Sequence, residues 1–213
     1  TALHDGLLRS DERRKDVLFG RADPAFETES RPRGHESRTV IDNDPSQNRA
    51  VNHALEAEDF ALIHGPPGTG KTYTIATLIR ELVDRDERVL LAGFTNRAVD
   101  NALEALREQG FEEAVRVGTE TGVRADMQDI RLSRTGDPAS LADTLETTPV
   151  VAATTATCGS RVLRATSFDV VVVDEASQLT EPDTFAAINR GERFVLVGDH
   201  QQLPPVVRSA DGL

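Results

Sequence analysis

The segment HGPPGTGKTYT, residues 64–74, constrains the fold of this chain more than any other stretch. An apolar run at residues 60–63 precedes it, and a helical pattern at residues 74–83 follows it. Glycine and proline are poor helix formers, so their concentration at the start of a helix indicates a loop with an unusual backbone path. Glycines let such a loop turn tightly and approach an anion, while the helix N-terminus adds the positive end of its dipole. The segment therefore predicts a strand, an anion-binding loop and a helix in direct succession.

The same segment matches the pattern G-x-x-x-x-G-K-[ST], which is typical of a loop that binds nucleotide phosphates. Lys71 is predicted to reach the β- and γ-phosphates, and the hydroxyl of Thr72 is predicted to bind Mg²⁺. The predicted nucleotide-binding residues are Gly65, Pro66, Pro67, Gly68, Thr69, Gly70, Lys71 and Thr72. The cofactors that follow from this pattern are ATP and Mg²⁺. The alternative is a glycine-rich turn without a ligand, which the flanking strand and helix disfavour.

Apolar runs and helical patterns alternate along most of the chain. The runs lie at residues 60–63, 89–94, 114–117, 149–153, 169–173 and 194–197, and helical patterns lie between most of them, for example at 97–108 and 181–189. Continuous valine and leucine runs are typical of strands that are buried on both faces. Strands separated by helices predict an α/β fold with a mostly parallel sheet and helices on both faces. Residues 118–148 are polar and predict only a short helix near 139–145.

A second candidate site is FDVVVVDEASQ, residues 168–178, where a buried strand ends in two adjacent carboxylates. Ligands bind at the carboxyl ends of the strands in sheets of this class. Asp174 is predicted to hold Mg²⁺, mostly through water, and Glu175 is predicted to act as the general base on the attacking water. The alternative is a solvated acidic turn, which the four valines and the upstream phosphate loop disfavour.

A third candidate site is VLVGDHQQLPPVV, residues 195–207, where another strand runs into a polar turn. Gln202 is predicted to lie beside the γ-phosphate, where an amide can orient the water and sense whether the phosphate is present. Taken alone, this stretch favours the simpler interpretation of a strand that is followed by an ordinary polar turn.

Together, GPPGTGKT, DEASQ and GDHQQLPP resemble motifs I, II and III of the superfamily 1 helicases, in the order of that family. DEASQLTEP and GDHQQLPPVV most resemble the 5′-to-3′ branch, superfamily 1B, and within it the group of the replication nuclease-helicase, the nonsense-mediated-decay helicase and senataxin. The resemblance covers about residues 41–213. It implies a RecA-like P-loop NTPase domain and an ATP hydrolase that drives translocation along a nucleic-acid strand.

Three further stretches resemble the same family. DNDPSQNRAV, residues 42–51, is similar to the Q motif and implies that Gln47 contacts adenine. AGFTNRAVDNAL, residues 92–103, and VVAATTATC, residues 150–158, are similar to strand-contact motifs. The nucleic-acid contacts that this implies are Thr95, Asn96, Asn101, Thr154 and Thr155. Each has a structural alternative, because threonine and asparagine after a strand are also common helix caps. The implied partner is single-stranded nucleic acid, with DNA favoured over RNA.

The resemblance also implies a domain organisation. Residues 1–40 are expected to be the trailing segment of an upstream accessory stalk, and residues 41–213 to be the first RecA-like motor domain. In the family a second RecA-like domain supplies arginines across the nucleotide cleft, and that domain is expected to be a partner missing from this chain. The expected activity of these 213 residues alone is therefore very low.

The charge and composition of the chain indicate the kind of organism and compartment in which the protein is expected to work. The chain has 36 acidic and 24 basic residues, and only Lys15 and Lys71 among the basic ones are lysines. An acidic, lysine-poor surface is typical of a halophile, in which net charge keeps proteins soluble in strong salt. The alternative is a GC-rich genome that favours arginine codons. The absence of an apolar run of membrane-spanning length and the single cysteine, Cys158, lead us to expect a cytoplasmic protein without a membrane partner.

Two other functions remain open at this point. An AAA+ assembly ATPase also has the sequence GPPGTGKT, but GDHQQLPP is typical of helicases. A nucleic-acid-binding scaffold with a decayed ATPase is disfavoured because the motif residues Lys71, Thr72, Asp174 and Glu175 are all intact.

Overall fold

The computed structural model describes residues 12–26, 39–42, 44–133 and 137–199. Within these ranges, each of the six apolar runs forms a strand, as predicted. The strands are β1 Phe60–His64, β2 Val89–Gly93, β3 Ala114–Val117, β4 Val150–Thr154, β5 Phe168–Asp174 and β6 Gly191–Gly198.

Helices connect the strands. In the described ranges they are α1 Glu12–Leu18, α2 Pro45–Glu56, α3 Lys71–Val83, α4 Asn96–Glu108, α5 Pro138–Thr147, α6 Thr155–Cys158 and α7 Glu181–Ile188, with two short 3₁₀ turns, Ala125–Met127 and Ala176–Gln178. The polar region at 118–148 therefore holds one 3₁₀ turn and α5. None of the helices in the described ranges has both the length and the apolar character needed to cross a bilayer.

The strands form one sheet in the order β1-β6-β5-β2-β4-β3, and every pair in it is parallel. Gly93 at the end of β2 is level with Asp174 of β5 and with Thr154 of β4. His64 at the end of β1 is level with Gly198 of β6. The carboxyl ends of five strands therefore meet at one edge, and all three candidate sites begin at that edge.

Both faces of the sheet are covered, as the continuous apolar runs predict. Val170 and Val172 of β5 face a core that α2, α3 and α4 complete, whereas Val171 and Val173 face a core that α5, α6 and α7 complete. Alternate side chains of a strand point to opposite faces, so a strand between two helical layers has no polar face. The α/β class with helices on both sides is confirmed.

The upstream helix α1 also packs on this domain. Arg14, only 9% exposed, donates hydrogen bonds to the carbonyl oxygens of Ile188 and Glu192, each at 2.9 Å. Its guanidinium lies 6.0 Å from the centre of the Phe194 ring. These contacts join residues 12–26 to the sheet, while the boundary near residue 40 remains a prediction.

Candidate nucleotide-binding and catalytic site

The phosphate-binding loop lies between β1 and α3, as its sequence predicts. Gly68 and Gly70 have φ of +80° and +75°, a left-handed conformation that L-residues with a side chain adopt only at a cost. A Cβ atom on Gly70 would also lie 2.7 Å from Nε2 of Gln47. The left-handed backbone is what favours glycine at position 70, because the end of the flexible Gln47 side chain could move aside.

Lys71, the first residue of α3, lies at the centre of this loop. Its Nζ donates hydrogen bonds to the carbonyl oxygens of Gly65 and Pro66, the latter at 3.0 Å. No side chain caps the N-terminus of α3, so the N–H groups of its first turn have no side-chain acceptor. These N–H groups and the ammonium form a positive concave surface that fits an anion such as a nucleotide phosphate.

Gln47 supports the loop from a neighbouring helix. Asp44 caps α2 by accepting hydrogen bonds from the backbone N–H of Ser46 and of Gln47, each at 3.0 Å. The Gln47 side chain then donates to the carbonyl oxygen of Thr69 at 2.9 Å. Gln47 is thus placed at the nucleotide loop, and its contact with adenine stays a prediction.

The paired carboxylates lie at the carboxyl end of β5. Asp174 is 8% exposed, and burial raises the pKa of its carboxyl to about 6. Its Oδ1 accepts a hydrogen bond of 2.8 Å from the backbone N–H of Glu175. Glu175 itself has φ of +54°, which is unusual for a residue with a side chain. Strain of this kind is frequent at functional sites.

The loop and the carboxylates face one cavity of about 140 Å³. Its lining residues are Lys71, Thr72, Ala98, Asn101, Asp174, Glu175, Gly198 and Asp199. The structure thus brings together the four residues predicted to bind phosphate, bind Mg²⁺ and activate water. Gln202, the other predicted catalytic residue, lies outside the described residues.

The oxygen donors in this cavity fit Mg²⁺. The described residues contain no cluster of three or more histidine, cysteine or carboxylate side chains that could hold a metal unaided. Mg²⁺ needs no such cluster, because it commonly binds one or two carboxylates together with substrate phosphates and water. The Thr72 hydroxyl and the buried Asp174 carboxyl are two of the oxygen donors in this cavity that suit such an ion.

The predicted nucleic-acid contacts lie along the same edge of the sheet but differ in exposure. Thr95 caps α4 and is half-buried, whereas Asn96 is exposed. Thr154 caps the short helix α6. Thr155 is only 2% exposed, so its side chain offers no surface to a strand. Asn101 lines the nucleotide cavity and accepts a hydrogen bond of 3.0 Å from Arg124.

Sequence reasoning missed a buried ion pair beneath Asn96. Arg116 is fully buried, and its Nε donates to Oδ1 of Asp100 at 2.8 Å. The same guanidinium donates to Oδ1 of Asn96 at 2.8 Å, so the amide oxygen of Asn96 is engaged. The NH₂ group of Asn96 then remains as the donor of that side chain.

Asp199 was missed as well, although it lies in the stretch that contains Gln202. It is 2% exposed, lines the cavity, and its Oδ1 lies 3.4 Å from Nε2 of His64. The signal in the sequence was the polar pair Asp199-His200 directly after a buried strand, the same signal that singled out Asp174 and Glu175.

Comparison with known proteins agrees with this geometry. A family model described as an AAA domain matches residues 42–140 and 136–210. The DNA replication ATP-dependent helicase/nuclease JHS1 of Arabidopsis thaliana is 38% identical over 177 residues, which cover 82% of this chain and 13% of that protein. The corresponding helicase/nuclease DNA2 of Saccharomyces cerevisiae is 40% identical over 169 residues, which cover 77% of this chain and 11% of that protein.

Solved structures agree on the fold. The Type ISP restriction-modification enzyme LlaGI, solved as a nuclease-deletion mutant with a DNA substrate mimic, superposes with a TM-score of 0.55 at 19% identity. The match covers 72% of this chain and 17% of LlaGI. The chain spans only 11% to 13% of the length of the two curated relatives above. It belongs to the AAA domain family and is similar in sequence to one segment of the replication helicase/nucleases.

Proposed function

We propose that this motor domain hydrolyses ATP–Mg²⁺ in the cavity between α3 and β5, and that the complete protein uses the hydrolysis to translocate along single-stranded nucleic acid, with DNA favoured. The observation that supports this most is the convergence of Lys71, Thr72, Asp174 and Glu175 on one cavity. Both curated relatives described above are named as DNA replication helicases.

Each side chain in the cavity has a distinct role in the proposal. Lys71 binds the phosphates as a point charge, and Thr72 and Asp174 hold Mg²⁺, which neutralises charge on the phosphate oxygens. Glu175 accepts a proton from the water that attacks the γ-phosphorus. Gln202 senses the γ-phosphate and Gln47 contacts the adenine, as the motif resemblance implies. Thr95, Asn96 and Thr154 form the strand track at the neighbouring strand ends β2 and β4.

The alternatives from the sequence are less well supported. An assembly ATPase does not account for the similarity to proteins named as helicases. A scaffold with a decayed ATPase does not account for a cavity in which the phosphate-binding, metal-binding and water-activating groups all remain.

The test is Glu175→Gln in the complete protein. The amide keeps the shape of the side chain but cannot accept the proton, and general-base catalysis contributes about 10²–10⁴-fold. We expect ATP binding to be retained and ATP turnover to fall by that factor. The matched control is Glu181→Gln, an exposed carboxylate in the first turn of α7 outside the cavity. A Glu175→Gln protein that turns over ATP at more than half the normal rate contradicts the assignment of the base.

The complete protein also allows a test of which nucleic-acid strand stimulates ATP turnover. ATP turnover is measured with single-stranded DNA and with single-stranded RNA, and unwinding is measured on duplexes with 5′ or 3′ tails. We expect stimulation by DNA and unwinding from a 5′ tail. A protein that neither strand stimulates is not a strand-driven motor.

A further inference from the structure

A buried ion pair joins β3 to α4 directly beneath the exposed side chain of Asn96. Arg116 of β3 is fully buried, and its Nε donates to Oδ1 of Asp100 on α4 at 2.8 Å. The second carboxylate oxygen of Asp100 accepts from the backbone N–H of Arg124 at 3.0 Å. Burial of two charges is costly, and an apolar pair of similar volume is often at least as stable. Stability alone is therefore a poor explanation for this pair.

The guanidinium of Arg116 also determines how the amide of Asn96 is oriented. Its Nη1 donates to the carbonyl oxygen of Val117 at 2.8 Å, and its Nη2 donates to Oδ1 of Asn96 at 2.8 Å. A guanidinium has donors and no acceptor, so the amide that faces it must turn its oxygen inward. The NH₂ group of Asn96 then faces away from the pair, and a ligand meets a donor there rather than an acceptor.

Gly122 leaves room beside that NH₂ group. A Cβ atom on Gly122 would lie 3.0 Å from Nδ2 of Asn96 and 2.8 Å from Oγ1 of Thr119. Gly122 is not among the glycines with a left-handed backbone, so the close approach of these polar groups is what limits a side chain at this position. A larger residue would crowd the NH₂ group from the side of the β3–α5 connection.

The exposed donor lies where the proposed strand track begins. Asn96 is the first residue of α4, and it follows β2 at the edge where the carboxyl ends of the strands meet. Asparagine side chains commonly donate to the phosphate oxygens of nucleic acids, and such contacts fix the position of the strand rather than read its sequence. A neutral donor of fixed orientation therefore suits a backbone phosphate at this point.

We propose that Arg116 is a positioning residue for the nucleic-acid strand, an inference that rests on the proposed function. Asp100 holds the guanidinium, the guanidinium holds the amide oxygen of Asn96, and the NH₂ group of Asn96 donates to a phosphate of the strand. Arg116 does not touch the strand, because it is fully buried. Its charge thus acts through the orientation of one neutral side chain at the surface.

The test is a double-mutant cycle in the complete protein, with the affinity for a fluorescent single-stranded DNA oligonucleotide as the readout. One arm is the paired change Arg116→Met with Asp100→Leu, which leaves no unpaired buried charge, and the other is Asn96→Ala. Each arm should weaken binding about two- to tenfold, as expected for the loss of one hydrogen bond. All three changes together should bind no more weakly than Asn96→Ala, because the pair acts only through Asn96.

ATP turnover gives a second readout for the paired change. The DNA concentration that gives half-maximal stimulation should rise by the same factor, while KM for ATP is unchanged. The matched control is Arg193→Met with Glu87→Leu, which removes another largely buried ion pair, of 2.6 Å, near the amino ends of β6 and β2. This control lies away from the carboxyl edge of the sheet and should leave DNA affinity unchanged.

Asn96→Asp tests the orientation without removing the ion pair. A carboxylate still accepts from Arg116, so this variant keeps the contact that holds residue 96. Its outward oxygen is an acceptor with negative charge, which repels a phosphate. We expect Asn96→Asp to bind the oligonucleotide more weakly than Asn96→Ala, by about tenfold or more relative to the wild-type protein.

Three outcomes overturn this inference. One is wild-type DNA affinity in the protein with the paired change. Another is a paired change that weakens binding by the same factor whether residue 96 is asparagine or alanine, which would make the pair a support for the fold alone. The last is an Asn96→Asp protein that binds as tightly as the wild-type protein. A wild-type protein that binds neither DNA nor RNA would overturn the proposed function as well, so the two failures are distinguishable.

Discussion

At the residue scale, two side chains at the carboxyl end of β5 lower the stability of the fold. Asp174 is buried beside an apolar strand, where its charged form is poorly solvated, and Glu175 adopts a left-handed conformation that costs about 1–3 kcal/mol. Neither residue improves the packing of the domain. Their presence at the end of β5 is accounted for by the proposed phosphate and metal chemistry rather than by folding.

Asp174→Asn should therefore stabilise the domain at neutral pH in the absence of nucleotide and Mg²⁺. The pKa of this carboxyl is about 6 in the folded chain and 3.8 in its ordinary range, so the folded state holds the proton more tightly. The stabilisation that this carboxyl contributes to the folded state is complete below pH 4 and is lost as the pH rises through 6. The free energy of unfolding of the Asp174→Asn variant should therefore exceed that of the wild-type protein by roughly 1–3 kcal/mol at pH 7.5.

Thermal unfolding at pH 5 and at pH 7.5 measures this effect. We expect Asp174→Asn to raise the midpoint at both pH values and by more at pH 7.5, because the loss of wild-type stability begins near pH 4 and is only partly complete at pH 5. Asp143→Asn, at an exposed position on α5, is the control and should show no such difference between the two pH values. If the Asp174→Asn variant is no more stable than the wild-type protein at pH 7.5, the burial argument is contradicted.

At the element scale, the positions of the strands could be predicted from the sequence, but which strands lie next to each other in the sheet could not. Apolar runs such as residues 169–173 can be recognised as strands from the sequence, because a strand buried on both faces has no polar positions. The order β1-β6-β5-β2-β4-β3 cannot be obtained from such runs, since it depends on how the crossovers pack. A hydrogen bond of 3.2 Å between Thr95 Oγ1 and Glu175 Oε2 follows from that order and was therefore missed, although both residues had been singled out.

Helix α1 shows that the burial of a charged residue is also hard to predict from sequence. The segment 12–18 is rich in charge and has too few apolar residues to form a core alone, so its pattern gives no sign of a buried side chain. Arg14 is nevertheless buried, and it donates to the carbonyl oxygens of Ile188, Gly191 and Glu192. An arginine that satisfies buried carbonyl groups cannot be distinguished from a surface arginine by sequence pattern alone.

Arg14→Met tests the role of α1 in stability. Methionine keeps most of the apolar stem but leaves three carbonyl oxygens without this donor, which should lower the free energy of unfolding by about 2–4 kcal/mol. The adjacent Arg13→Met is the matched comparison. Arg13 pairs with Asp59 at 2.7 Å, but its side chain is 50% exposed, so we expect a clearly smaller loss. Urea denaturation of both variants gives the two values, and equal losses would show that α1 is held by its surface pairs.

At the scale of the whole molecule, the described part of the chain brings most of the proposed catalytic groups to one cavity. The phosphate loop, the groups proposed to bind Mg²⁺ and the proposed general base all lie on this domain, and Gln47 reaches the same loop from α2. The positive charge in the cavity is limited, because Lys71 is the only basic residue among its described lining residues. A net charge of −12 adds no positive field of its own. The described residues thus supply the groups that the proposed nucleotide binding needs, but no second cation for the transition state lies among those that line the cavity.

The 213-residue chain alone should therefore bind ATP–Mg²⁺ and hydrolyse it very slowly, with or without single-stranded DNA. In related P-loop enzymes, an arginine supplied to the transition state accelerates hydrolysis by about 10³–10⁵-fold. No arginine lines the cavity in the described part of this chain, and Arg124, which contacts Asn101 at its rim, is paired with Glu104 and Asp126. Calorimetric titration should show binding that Lys71→Ala abolishes and that Lys15→Ala, at the other lysine of the chain, preserves. Phosphate release should stay far below about 1 s⁻¹, the lower end of ordinary enzyme turnover. Turnover above that rate would mean that the chain completes its own site, for example by self-association, and a rate that rises with protein concentration would identify that route.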